Sequence, residues 1–214
     1  MSNDLIEVRA IRPPNVGWLE VFLNKEAMDK LWSYVDVAKE NVNHKLAGQI
    51  TESLKLEDKD DWFLNNVILQ VRQKYEEEFG IPSEYKSFIN DKWYVELKSF
   101  WVNFMNQNES NPYHNHTGVY SFNIWMKIPT DWKEQHELPI VKNSNFPTAS
   151  NFQFFYTDMM GNQRAFDYRL DKSCEGKMVF FPAKLMHTVY PFYNCDETRI
   201  SIAGNLGINV VNHD

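Results

Sequence analysis

Hydrophobic positions change rhythm near residue 90. Before it they recur at helical spacing, and after it they alternate. Met28, Leu31, Trp32 and Val35 share one helical face behind Asn24, which can cap a helix running to about Glu40. Phe63, Val67, Ile68, Val71, Tyr75 and Phe79 repeat the pattern over residues 62–79, where Gly80, Ile81 and Pro82 supply a stop. Residues 17–23 alternate well enough for a short strand, with Trp18, Val21 and Leu23 as its apolar members. These stripes read as packing faces rather than as a cofactor box.

From Asp91 onward the period is two. Residues 94–105, 119–128, 152–157, 177–181 and 198–206 read as strands, separated by turn-rich stretches at 106–112, 129–150 and 161–163. Strands with no helical pattern between them predict an antiparallel sandwich or barrel. The fold class expected is therefore α+β, mainly β, in one domain over residues 1–214. A strand and flanking helices fill 1–90, and the β core fills 91–214. The 129–150 connection has the length of a lid or binding loop.

Composition narrows the class without naming a function. Of 214 residues, 43% are hydrophobic and 24% charged, which excludes disorder, collagen and coiled coil as global descriptions. The 15 Phe, 10 Tyr and 7 Trp suit a sheet-rich core. A net charge of −7 without a basic cluster argues against a nucleic-acid surface. No apolar run approaches the roughly 20 residues of a membrane span, and residues 1–14 hold no signal-peptide core. Cys174 and Cys195 form no CxxC pair and are expected as reduced thiols of a cytoplasmic protein.

The candidate chemistry lies where strands meet loops. His114-Asn115-His116 is an H-x-H pair, which in extended backbone sends both imidazoles to one face, where neutral rings can share a divalent metal. His187, opening the apolar run Thr188-Val189-Tyr190, can bring a third nitrogen. Imidazole suits iron, copper, zinc and nickel alike. In residues 198–206 strict alternation places Arg199, Ser201, Ala203 and Asn205 on one face and Ile200, Ile202 and Leu206 on the other. An inward guanidinium left unpaired is costly. Arg199 should therefore either receive a carboxylate ligand with Ser201 beside it, or form a salt bridge with Asp167 or Glu197. Asn103 and Asn123 sit mid-strand, each either turned inward or bonded to backbone at an edge. Tyr120, Trp125 and Tyr190 read as aromatic core rather than as the lining of a substrate cleft. Lys184 either pairs with an anion near His187 or is solvated, and His44, His136 and His213 read as surface residues. The acidic run at 57–61 reads as a solvated helix start.

Taken in order, these motifs resemble the iron(II)- and 2-oxoglutarate-dependent oxygenases, in particular small hydroxylase-like proteins of marine bacteria and their phages. Trp101-Val102-Asn103, His114-Asn115-His116, Gly176 with Phe181-Pro182, His187 through Pro191, and Arg199-Ile200-Ser201 carry the likeness. It implies a double-stranded β-helix, or jelly-roll barrel, flanked by N-terminal helices. It further implies that His114, His116 and His187 hold Fe(II) as the catalytic centre. Arg199 and Ser201 would bind the 2-oxoglutarate cosubstrate, with Asn123 and Asn103 alongside. Decarboxylation to succinate with O2 would then be coupled to oxidation of a primary substrate.

One departure stands out. The family's second ligand is normally Asp, and here it is His116. His116 is then a third imidazole ligand, or glycine at Gly118 leaves the carboxylate's place to an anion, or Glu109 folds in; the first needs no further assumption. A cupin-type isomerase or dioxygenase without 2-oxoglutarate is the alternative, from the spacing of Gly176, Pro182 and His187. It lacks the expected Glu at Tyr120 or Ser121 and the second glycine at Lys184. A non-catalytic barrel serving as a binding module is the third option.

Overall fold

The computed structural model describes residue 9 and residues 15–86 and 93–210. The N-terminal stretch apart from Arg9, and His213, lie outside the described residues. Among the described residues, ten strands form two antiparallel sheets. They are β1 Leu19–Phe22, β2 Glu52–Lys55, β3 Trp93–Met105, β4 Asn111–His114, β5 Tyr120–Lys127, β6 Phe152–Thr157, β7 Gln163–Tyr168, β8 Lys177–Pro182, β9 Met186–Val189 and β10 Arg199–Val210. The larger sheet runs β1-β8-β5-β10-β3-β2 and the smaller β4-β9-β6-β7. Helices are α1 Lys25–Val37, α2 Leu69–Phe79, α3 Ser83–Lys86 and α4 Trp132–His136. None is long and apolar enough to cross a membrane.

Local chemistry explains the helix ends. Asn24 caps α1, its Oδ1 accepting from Ala27 N at 2.9 Å, and α1 stops at Val37, short of Glu40. A π-helical stretch, Leu64–Ile68, leads into α2, and Gly80 at φ 74° ends it. The acidic run is more than a solvated start. Asp58 accepts from Phe63 N and Leu64 N, satisfying donors at the front of that helix, and also from the Tyr34 hydroxyl of α1. Burial, then Asp58, raises the Tyr34 hydroxyl pKa.

Alternation along the strands divides the larger sheet into two faces. One packs on the helices: Phe100, Val102, Phe122, Ile124, Phe180, Ile202 and Leu206 bury against Leu31, Phe63, Ile68 and Tyr75. The other faces the smaller sheet across Trp125, Phe152, Phe154, Val179 and Phe181. The expected strands are present within a few residues, β10 continuing beyond Leu206 to Val210. Short strands β2, β4 and β7 escape a periodicity reading, because four to six mostly exposed or polar residues carry too little pattern. Between β5 and β6, Asp131 caps the short α4. Gly118 is fixed by backbone: φ is 96°, and a Cβ there would meet the Leu206 carbonyl oxygen at 2.5 Å.

Candidate metal centre

Strand register assembles the site. Across the larger sheet Asn123, Ala203 and Trp101 form one row, and Trp125, Ser201 and Asn103 the next. In the smaller sheet His114 of β4 is the register partner of His187 of β9. His116 lies just past the end of β4, so strand alternation does not orient it. Its backbone N–H instead donates to Ala183 O at 2.8 Å, in the turn between β8 and β9. The ring centroids of His114 and His187 are 4.2 Å apart, and His116 is 4.9 Å from each. Candidate ligand atoms of all three lie within 4.8 Å of one another.

The hydrogen bonds select the free nitrogens. His114 Nδ1 faces Pro112 O at 2.6 Å and His187 Nδ1 faces Leu185 O at 3.0 Å, so each donates there and keeps the Nε2 lone pair for the centre. His116 Nε2 is 3.2 Å from His187 Nε2, the spacing of about 3 Å expected for two ligands of one ion with bonds near 2.1 Å. Burial keeps the rings neutral, the form that binds metal. His187 is pushed well below its ordinary pKa by burial and then by its two neighbours. His116 is lowered to about 4, by burial and then by His114. His114 is lowered by burial, with the Pro112 carbonyl opposing. Donor set, spacing and protonation state all fit a divalent transition metal.

The other two ways of replacing the carboxylate find less support. Glu109 is committed to its own loop, accepting from Thr51 N, the Thr51 hydroxyl and Asn106 N. Gly118 has the backbone reason given above.

Arg199 is 2% exposed and has no carboxylate partner among the described residues. Asp167 accepts from Gln153 and Asn151 instead, and Glu197 pairs with Lys127. The rim salt bridge allowed by the sequence is therefore not formed. The guanidinium lies over the Phe192 ring at 4.7 Å, and its Nη2 donates to Ser150 Oγ at 2.5 Å. Its Nε and Nη1 are buried without a hydrogen-bond partner. Burial lowers its pKa to about 9, so it remains a cation at neutral pH.

Arg199 lines a narrow cavity of about 40 Å³ between the sheets, together with Ser201, Asn103, Asn123 and the three histidines. Asn123 Nδ2 and Asn111 Oδ1 on the same lining are also buried and unpartnered, while Asn103 Oδ1 accepts from Ser53 Oγ at 2.8 Å. Native proteins seldom leave such groups unsatisfied, so a cation and an amide donor facing one cavity fit an anionic ligand.

Sequence reading missed Ser150, Phe192 and Asn111. Ser150 sits at φ 68° in the long loop, its Oγ 3.0 Å from Thr130 Oγ1, and no local pattern announces it. His136 is buried, not on the surface: its ring packs on Trp132 and its Nε2 is 3.3 Å from Asn151 Oδ1. Tyr120 donates to Glu76 and Tyr190 to Gln153, whereas Trp125 both fills the core and lines the cavity. Lys184 is exposed.

The sequence pattern of the family described as "Putative 2OG-Fe(II) oxygenase" matches residues 99–205, half of the chain. No curated protein matches the sequence significantly. Among solved structures, a Pseudomonas putida prolyl-4-hydroxylase superposes with TM-score 0.50 at 13% identity, covering 88% of this chain and 91% of that one. A Trichoplax adhaerens prolyl hydroxylase, solved with a hypoxia inducible factor peptide fragment, gives 0.51 at 10% identity over 89% and 82%. The non-heme alpha ketoglutarate dependent epimerase SnoN from nogalamycin biosynthesis gives 0.50 at 13% identity over 90% and 78%. These likenesses are to fold, and the fold is the double-stranded β-helix.

Proposed function

The chain belongs to the 2OG-Fe(II) oxygenases, enzymes that use iron(II), 2-oxoglutarate and O2, and from that premise we propose how its own residues divide the work. His114, His116 and His187 hold iron(II) through their inward nitrogens. The Pro112 and Leu185 carbonyls keep two of those rings in the required tautomer. Bound iron supplies the redox chemistry that couples decarboxylation of 2-oxoglutarate to oxidation of a substrate by O2.

Arg199 receives the distal carboxylate of 2-oxoglutarate through an unpartnered N–H of its guanidinium, while Nη2 stays on Ser150 and Phe192 supports the guanidinium plane. Ser201 adds a hydroxyl, and Asn123 Nδ2 a donor further along the wall. Asn103, held by Ser53, completes the polar side. Trp125, Phe152 and Val189 line the cavity with apolar surface and keep water from the cosubstrate. The observation that carries this reading is the buried, cationic Arg199, with Nε and Nη1 unpartnered, in the cavity of the three neutral imidazoles. The cupin-type alternative gives that guanidinium no role. Free thiols at Cys174 and Cys195 support a reducing, cytoplasmic setting.

Replacing the family's aspartate by His116 leaves no carboxylate among the gathered ligands. The nearest anions to the metal are then those of the cosubstrate. Iron and 2-oxoglutarate should therefore bind with positive coupling, each raising the affinity of the other equally. The test is succinate formation by the purified chain. It should require both iron(II) and 2-oxoglutarate, and succinate formed equally well without added iron under chelation would contradict the assignment.

A further inference from the structure

A second cleft of about 480 Å³ adjoins the metal cavity, sharing Trp101 with it. That cleft runs along β3 where β2 has ended. Lys55, the last residue of β2, is the register partner of Trp101, and Leu56 N then donates to Phe100 O at 2.9 Å. From there back to Trp93, β3 is paired with β10 on one side, and among the described residues no strand lies on the other. Glu96, Leu97, Lys98, Ser99 and Phe100 all line the cleft. Five consecutive residues of a strand can share one cleft only if its edge, not one of its faces, is the floor. Val42, Lys45 and Leu46 form one wall, and Leu56, Asp61 and Leu64 the other. Trp101 lines this cleft and the metal cavity together, its ring centroid 6.1 Å from that of His116.

We propose that this cleft binds an extended peptide segment, which adds as a strand beside β3 in line with β2 and carries the residue to be oxidised. The proposal rests on the assignment of the metal centre given above. A strand edge presents N–H and C=O groups at a spacing that only another extended backbone matches, so the edge selects a peptide over a compact metabolite. Walls on both sides admit one chain and exclude the edge of a second sheet, which disfavours a second copy of this protein.

The cleft's charges point the same way. Lys98 pairs with Glu96, and Lys55 lies within 3.4 Å of Glu40 and Glu57, so these cations are already matched by carboxylates. Such a cleft offers little to a polyanion and suits a segment carrying both signs of charge. Trp101 lines both spaces, so the end of the bound segment next to β2 lies nearest the imidazoles.

The test is amide hydrogen exchange of the full chain without metal or cosubstrate. The probes are a set of short synthetic peptides that alternate β-branched with oppositely charged residues. The same peptides N-methylated at alternate backbone amides serve as controls. The unmodified peptides should slow exchange within residues 96–100 on the order of tenfold, and the methylated ones should not. No slowing by the unmodified set, or equal slowing by both sets, overturns the proposal. Iron and 2-oxoglutarate binding, measured separately on the same preparation, show whether the metal-centre assignment stands when the peptide cleft fails.

Discussion

The two faces of the larger sheet are made by the same strands, residue by residue in alternation, yet they solve opposite problems. On the helix side Phe100 stacks on Phe63 at 5.6 Å, and Ile202 and Leu206 are fully buried. The hydroxyls that reach that core are satisfied, Tyr75 on Gly17 O and Tyr120 on Glu76. On the cavity side Arg199 Nε and Nη1 and Asn123 Nδ2 are buried and have no hydrogen-bond partner. Of the buried unpartnered side-chain atoms among the described residues, all but Arg72 Nε belong to residues lining the cavity. One face is finished by folding. The other keeps buried polar atoms without partners, and that difference sets the cavity apart.

The sharpest way to break this comparison is His187→Ala, which should abolish stoichiometric iron(II) binding in anaerobic calorimetry. Full stoichiometry in that variant would mean that the ligand set is wrong. Next comes the opposite face. Phe180→Ala should cost about 3–5 kcal/mol of unfolding free energy by denaturant titration, while the folded fraction still takes up iron normally. Loss of metal binding without loss of stability there would dissolve the distinction between the faces. Arg199→Ala removes a charge-assisted partner and should weaken 2-oxoglutarate by about 30- to 3,000-fold, roughly 2–5 kcal/mol, with iron affinity largely intact. Unchanged cosubstrate affinity would return Arg199 to a structural role.

The smallest effect lies far from both faces, at the β6–β7 turn. There Asp158 accepts from Met160 N, Asn162 N and Arg164 Nε. The Arg164 contact, then the Asn162 N–H, lowers its pKa to about 2. A carboxyl lowered on folding stabilises above its unfolded pKa of about 3.9 and loses that contribution as pH falls toward 2. Turn amides should therefore exchange faster across that interval in the wild type. Asp158→Asn should show little such dependence, and an identical pH profile would remove Asp158 from the account.

How much was legible in the sequence follows from the range of each signal. Alternation over β3, β5 and β10 is long, so those strands and the two faces of Arg199-Ile200-Ser201-Ile202 could be read directly. Asn24 announced its helix because a cap is a local device. His114, His116 and His187 were readable as a set, although His116 reaches the centre through its bond to Ala183 rather than through strand alternation. The support of Arg199 was not readable, since Ser150 is 49 residues away and joined only by the fold. His136 illustrates the converse: a polar residue in a long loop looks solvated until Trp132 and Asn151 close over it.

The central claim is that three imidazoles and Arg199 together form one iron and 2-oxoglutarate site. Anaerobic iron(II) titration, with and without 2-oxoglutarate, tests it most directly by following iron stoichiometry and visible absorption. The account predicts one iron per chain, bound more tightly when the 2-oxo acid is present, and a visible charge-transfer band only when both are bound. Iron affinity indifferent to 2-oxoglutarate, with no band at saturation, would contradict it.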